Sequence, residues 1–503
     1  MPLRSLVTKL QETALTGELD ERSSRPERLL MRGAGRCSRA LVASALSQRR
    51  GAPLLVVVPT LEEAGRWTAL LELMGWGQAS LYPTSEGSPY EPFDPTSEIT
   101  WGQLQVLSDL LGEPNVASWA IVATERCLQP HLPPPDVLKT KTRTLRKGDE
   151  VDLEALGETL AQLGYERVAT IEQEGSWSRR GDIVDIFPVS SELPVRLEFF
   201  GEELDKLREF DPASQRSLDP VDALRLTPTG FGPLIADQLR ETMPDGLEQL
   251  LGSEGTEQLL NGGTPEGMRR LMGLAWEQPA SLLDYLPDTT TVVIDERRQG
   301  LAHGQQWLSH VEEHHHDMAA EAGLDEGDRD RLWPAVLHRE IEAAYALTEV
   351  FHGFDMAELL EVDQHPNSFD LASRPVAAYP NQFGKLGELI KGFQTERTAV
   401  WLVSAQPSRA VALLEEHDCI SRFVPNAGDS NAISRLIEQN TPVALKVRGT
   451  AELEGLQLPA WRIALVTDRE FFGQQSLSSS GYVRRRRKAA SRMVDPNKMR
   501  PGD

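Results

Sequence analysis

Apolar residues near the N-terminus recur at helical spacing (Leu3, Leu6, Val7, Leu10, Ala14), and Gly33-Ala34-Gly35 then opens a small-residue helix that ends near Arg50. Residues 53–59, PLLVVVP, form a continuous apolar run, the pattern of a parallel strand covered on both faces, and residues 61–74 return to helical spacing. With a second buried run at 118–123, SWAIVA, residues 1–130 predict a doubly wound α/β domain. A proline-rich joint follows, HLPPPD at 131–136, and beyond it the pattern changes. A basic run at 139–147 and a helix at 153–163 lead into short β-prone runs separated by turns. Ile183, Val184, Ile186 and Phe187 predict one strand, and Val195, Leu197, Phe199 and Phe200 the next, with Arg196 and Glu198 alternating between them. Residues 131–233 therefore predict a small α+β insert, after which 234–360 resume the first domain. That second part contains TTVVIDE at 290–296, a buried strand ending in carboxylates, and then a loose, acidic, histidine-rich helical stretch from 300 to 360. Residues 369–380 read as polar and linker-like, and 370–473 as a separate small α/β domain with VWLVS (400–404) and IALV (463–466) as strands.

Charge divides the chain. The formal net charge is −24, yet the last twenty residues, with eight Lys and Arg against two Asp, carry +6 and leave −30 before them. A body so negative repels phosphate unless it conceals a basic groove, so protein partners are expected for residues 1–483 in preference to nucleic acid. Residues 474–494 predict a basic flexible linker. Three cysteines far apart (Cys37, Cys127, Cys419) suit a reducing, cytoplasmic setting without a disulfide framework or zinc site. The longest strongly apolar run, Leu54–Val58, is only a strand's length, so no membrane span is expected.

Four places invite chemistry. The first is RGAGRCSRAL at 32–41, between a strand-like run and a helix, where a phosphate-binding loop would sit. A working P-loop needs glycines for backbone approach, a lysine for the β/γ oxygens and a hydroxyl for magnesium. Gly33 and Gly35 are present, but Ser38 stands where the lysine should be and Arg39 where the Ser/Thr should be. As a dinucleotide loop it fails at the third glycine, again Ser38. We read it as a strand-to-helix turn that needs small residues, a vestige of a nucleotide site. The second is the strand end at Asp295 and Glu296, placed as a Walker B motif presents its carboxylates; any parallel strand can end in acids. The third is HVEEH at 310–314, formally the HxxEH pattern of two histidines one helical turn apart with a glutamate base. With no evident third ligand in a polar helix, it reads as a solvated acidic face, and no metal site is expected. The fourth is the hairpin region itself, where Arg180, Arg196, Phe199 and Phe200 have the composition of protein-interface anchors. Strict alternation requires one of the two phenylalanines to face outward.

These motifs carry a resemblance. SRRGDIVDIFPVSSELPVRLEFFGEELDKLREFDPASQRS at 178–217 is similar to the UvrB-homology insert of bacterial transcription-repair coupling factors, and YPTSEGSPYEPFDPTSEITWGQLQVL at 82–107 and VTDREFFG at 466–473 resemble further parts of that family's N-terminal region. SRMVDPNKMRPGD resembles the beginning of the family's CarD-like domain, so 495–503 are expected to start an RNA-polymerase-interacting domain. The resemblance implies a UvrB-like, degenerate helicase-type α/β domain interrupted by an insert that binds UvrA through Arg180, Arg196 and Phe200. It also implies that the full-length protein displaces stalled RNA polymerase by ATP-driven translocation on double-stranded DNA. The motor, with its ATP and magnesium, is expected outside residues 1–503, which would then be the recruitment part of a longer chain, without catalysis or a cofactor of their own. The competing reading is an active UvrB-like helicase segment that binds ATP and DNA at 32–41 and 292–296.

Overall fold

The computed structural model describes residues 2–473, apart from 92, 94–96, 113–117, 244–246, 324–336, 360–364 and 448–451. The basic tail at 474–494 and the segment at 495–503 lie outside the described residues.

Seven strands, all parallel, form the first sheet in the order Ser368–Asp370, Leu29–Arg32, His352–Met356, Thr291–Asp295, Leu54–Val58, Trp119–Thr124, Gln78–Leu81. Its apolar runs are continuous because both faces are covered. Leu55, Val57, Ile121, Val292 and Ile294 point into a core shared with the helices Ser97–Leu111, Gly232–Thr242 and Arg297–Glu321, while Leu54, Val56, Val58, Val122 and Val293 point into another shared with Arg4–Gln11, Arg36–Arg49 and Leu61–Leu71. The fold is therefore α/β with a doubly covered parallel sheet.

Two strands of this sheet lie where the sequence pattern indicated loose or linker-like chain. His352–Met356 (HGFDM) has no apolar run, but it is held between two hydrophobic strands and its glycine is required by a neighbour. The Arg28 guanidinium lies across Gly353, donating to the Val292 carbonyl (2.7 Å) and pairing with Asp355. A Cβ on Gly353 would stand 2.0 Å from that carbonyl oxygen. At the sheet edge, Ser368–Asp370 pairs with Leu29–Arg32 and Leu371 is fully buried, so the first domain extends through the start of the supposed linker.

The insert hangs from a two-stranded antiparallel stem, Arg143–Arg146 with Ala223–Leu226. Its own sheet runs Ser217–Pro220, Glu203–Phe210, Val195–Phe200, Ile183–Phe187, Ser176–Arg180, Glu166–Arg167, antiparallel except for the last pair. Helix Leu153–Gln162 buries Leu156 and Leu160 against one face of it.

A third sheet, ordered Arg374–Pro375, Leu456–Leu458, Ile463–Thr467, Ala399–Ser404, Val443–Lys446, Arg422–Val424, has a parallel centre and an antiparallel edge. It shares a core with the first domain. Trp401, Val443, Leu445 and Trp461 belong to the same apolar cluster as Leu6 and Leu41, and Trp461 Nε1 donates to Thr16 Oγ1 at 3.0 Å.

The crowding at Gly353 sets a test. Gly353→Ala should lower stability by about 1–3 kcal/mol or more through overpacking, whereas Gly392→Ala, on an open helical surface with nothing within 4 Å of the new Cβ, should raise it by about 0.5–1 kcal/mol. Thermal melting of the two variants beside the wild type reads both; equal melting temperatures would show that the strand has room to adjust.

Candidate functional sites

The glycine loop folds as a strand-to-helix turn. Gly33 takes φ +77°, open to glycine without a Cβ penalty, and Gly35 caps the helix Arg36–Arg49. Several of the turn's polar groups are engaged within the protein. The Gly33 carbonyl accepts from Ser373 N (3.0 Å), and the Ser38 and Ser373 hydroxyls share a hydrogen bond at 2.7 Å. The Glu454 carboxylate of the third domain lies over the helix N-terminus, 3.2 Å from where a Gly35 Cβ would be. An acidic side chain is favoured at that end of a helix, as a phosphate would be. Arg36 forks onto Glu63 (2.6 and 2.7 Å) and reaches Glu452 at 3.4 Å. Below the turn, Cys37 is buried and its thiol is pushed up to about 12, chiefly by burial and further by the Glu454 charge.

Arg39, one residue past Ser38, closes the site from inside. Its side chain is buried, with Nε 3.1 Å from Asp295 Oδ1 and Nη1 donating to Glu296 Oε1 at 2.5 Å. The first contact is ionic and lacks hydrogen-bond alignment. Trp67 Nε1 donates to the other Asp295 oxygen at 2.9 Å, and Glu358 N donates to Glu296 Oε1 at 2.6 Å. The two carboxylates that would serve a hydrated magnesium ion thus hold a guanidinium instead. One positive charge faces two negative ones in a water-poor site, and burial, opposed by Arg39 and reinforced by Glu296, pushes Asp295 up to about 7.

In the insert, alternation sorts the two phenylalanines. Val195, Leu197 and Phe199 face the core, Phe199 being 7% exposed, while Phe200 is 83% exposed. The cross-strand pairs Arg180 with Ile183, Ile183 with Glu198 and Glu198 with Lys206 place these side chains on the open face beside Phe200. Arg180 is 58% exposed and reaches Asp185 only at 3.4 Å. Arg196 differs: it is 19% exposed, bidentate to buried Asp185 (2.7 and 2.9 Å), and stacked 4.8 Å over the Phe210 ring. The sequence pattern gave both arginines the same free-fork role, and the fold separates them. Asp185 sits opposite Arg196 in register, a partner that alternation on the two strands could have revealed.

On the helix Arg297–Glu321, Trp307, Val311, His315 and Met318 are buried, so this is a half-packed helix and not a face solvated all round. The His310 and His314 rings lie against each other, tilted by 54° with centroids 4.1 Å apart. Glu313, the formal base of the HxxEH pattern, is exposed, and the carboxylate that approaches the pair is Glu91, more than two hundred residues earlier. Nothing in the sequence near Glu91 signals that approach. Among the described residues, no helix is long and apolar enough to cross a membrane.

An α/β protein with a closed, arginine-filled turn and a sheet-bearing insert defines a class by its insert: residues 144–230 match the UvrB interaction domain family. Residues 375–473 match the cyanobacterial Mfd Rossmann-like domain family. The similar curated proteins are transcription-repair-coupling factors, among them those of Bacillus subtilis (23% identical over 480 residues, 88% of this chain and 38% of the relative), Haemophilus influenzae (29% over 273 residues, 52% and 23%) and Mycobacterium bovis (30% over 313 residues, 56% and 25%). The chain is similar to transcription-repair-coupling factors and spans about two fifths or less of the length of the relatives it matches.

Two tests follow from this geometry. Because the Asp295 carboxyl is pushed up from about 3.9 in an unfolded chain to about 7, its ionisation opposes folding. Its favourable contribution is complete below about pH 4 and is lost as pH rises through 7. Urea midpoints of wild type measured from pH 5 to 8 should fall relative to those of Asp295→Asn, which cannot ionise; parallel profiles would mean that Arg39 keeps the carboxylate charged throughout. Separately, Arg196→Ala strands buried Asp185 and should cost about 3 kcal/mol, while Arg180→Ala should stay within about 0.5 kcal/mol, read by urea unfolding of the two variants.

Proposed function

We propose that residues 1–503 act as the recruitment part of a transcription-repair coupling factor, binding UvrA through the open face of the insert sheet and doing no nucleotide chemistry. The observation that carries this reading is Phe200, almost wholly exposed beside Ile183 and Arg180 on the domain that matches the UvrB interaction family. A large exposed aromatic flanked by an aliphatic and a loosely held arginine has the composition of an interface anchor. Arg196 lies on that same face and holds Asp185 across the strand pair. The turn at 32–41 supports the non-catalytic half of the reading, because Arg39 pairs with both strand-end carboxylates and the Glu454 carboxylate beside Gly35 would repel a phosphate.

Displacement of stalled RNA polymerase and ATP-driven translocation on double-stranded DNA are functions the family resemblance implies for a whole coupling factor, and we assign neither to these residues. UvrA and, through the rest of such a factor, RNA polymerase and DNA are the partners proposed, in the cytoplasm.

Phe200→Ala and Arg180→Ala should each weaken UvrA binding by about 1–3 kcal/mol, measured by titration calorimetry with the melting temperature unchanged. Affinity equal to wild type in both would overturn the assignment of the face. Tight, magnesium-dependent binding of an ATP analogue that disappears in Asp295→Ala would instead favour an active helicase-like segment.

A further inference from the structure

We propose that Glu91, His310 and His314 bind a divalent transition-metal ion of the zinc type, joining the loop at 84–91 to the helix Arg297–Glu321. The two histidines are four residues apart on one helical face, the spacing at which neighbouring imidazoles share a metal. One ligand atom from each of the three residues lies within 4.8 Å of the others, and His314 Nδ1 is 4.0 Å from Glu91 Oε1. Donor atoms about 2.0–2.2 Å from a tetrahedral zinc stand roughly 3.3–3.5 Å apart, so small side-chain adjustments complete the set. Two imidazole nitrogens and a carboxylate oxygen suit zinc and its neighbours in the first transition row and are a poor match for magnesium or calcium.

Glu91 is brought to the pair by packing. Trp307 Nε1, one turn before His310, donates to the Gly87 carbonyl at 3.3 Å. Tyr90 is buried with its ring 5.0 Å from that of His315, the residue next to His314. Ser88 N donates to Glu91 Oε1 at 3.3 Å, turning the carboxylate. The loop is thus fastened to the helix on both sides of the three donors, which lowers the entropic cost of assembling them. Glu91 and His314 are each about a third exposed, leaving an approach for the ion and a coordination position for water. Glu312, Glu313 and Asp317 on the solvent side, within a chain of net charge −24, favour a cation there. With Glu313 outside the group, the arrangement departs from that of an HxxEH protease and serves to pin a loop.

The test uses the whole chain, freed of metal by chelator, titrated with zinc chloride in a calorimeter and with cobalt(II) followed by visible absorption. One saturable equivalent is expected, together with a tetrahedral-type cobalt spectrum. His314→Ala and Glu91→Gln should each lower zinc affinity at least about tenfold. His303→Ala, on the same helix outside the group, should leave it unchanged. Absence of a saturable equivalent overturns the proposal. So does wild-type affinity in Glu91→Gln, since a bare histidine pair would then account for the binding.

Discussion

The buried pairing of Arg39 with Asp295 and Glu296 is the contact around which the first domain is organised. It joins the helix that follows the edge-side strand Leu29–Arg32 to the end of the central strand Thr291–Asp295, two elements separated by the whole insert in sequence. A guanidinium there satisfies carboxylates that would otherwise sit uncompensated beneath a covered sheet, where an unpaired charge costs several kcal/mol. The same placement engages both strand-end carboxylates with a side-chain cation of the chain itself. One contact thus both neutralises the strand-end carboxylates and occupies the turn beside Gly33 and Gly35.

The third domain closes the turn from outside. Glu452 meets Arg36, and Glu454 lies over the helix N-terminus, in a region where both domains already share an apolar core through Trp401, Trp461 and Leu41. Acidic side chains are well placed at a helix N-terminus, and they repel a phosphate from the same position. The packing of one domain on another thus adds two carboxylates around the turn that Arg39 occupies from inside.

The insert divides its labour between two faces of one sheet. Inward residues Val184, Ile186, Leu197 and Phe199 hold it on its helix. Outward, the Asp185–Arg196 pair and the Phe210 ring form a rigid floor, and Arg180, Ile183 and Phe200 stand at its solvent-facing end. An arginine committed to a buried aspartate has little left to offer a partner. Its neighbour Arg180 reaches the same aspartate only at 3.4 Å and leaves more of its side chain in solvent.

Much of this was legible in the sequence where the signal is local. The proline-bounded PLLVVVP run indicated a strand covered on both faces, the glycines of RGAGR indicated a strand-to-helix turn, and the period of two in VRLEFF required that one phenylalanine face outward. Such features follow from backbone geometry acting between residues adjacent in the chain. The polar strand HGFDM, the Arg39 and Glu454 contacts, the different fates of Arg180 and Arg196, and the meeting of Glu91 with His310 and His314 were decided by tertiary structure. Each brings together charges or packing surfaces from different elements, several of them hundreds of residues apart. Periodicity shows which face a side chain takes, and only the completed fold shows what stands opposite it.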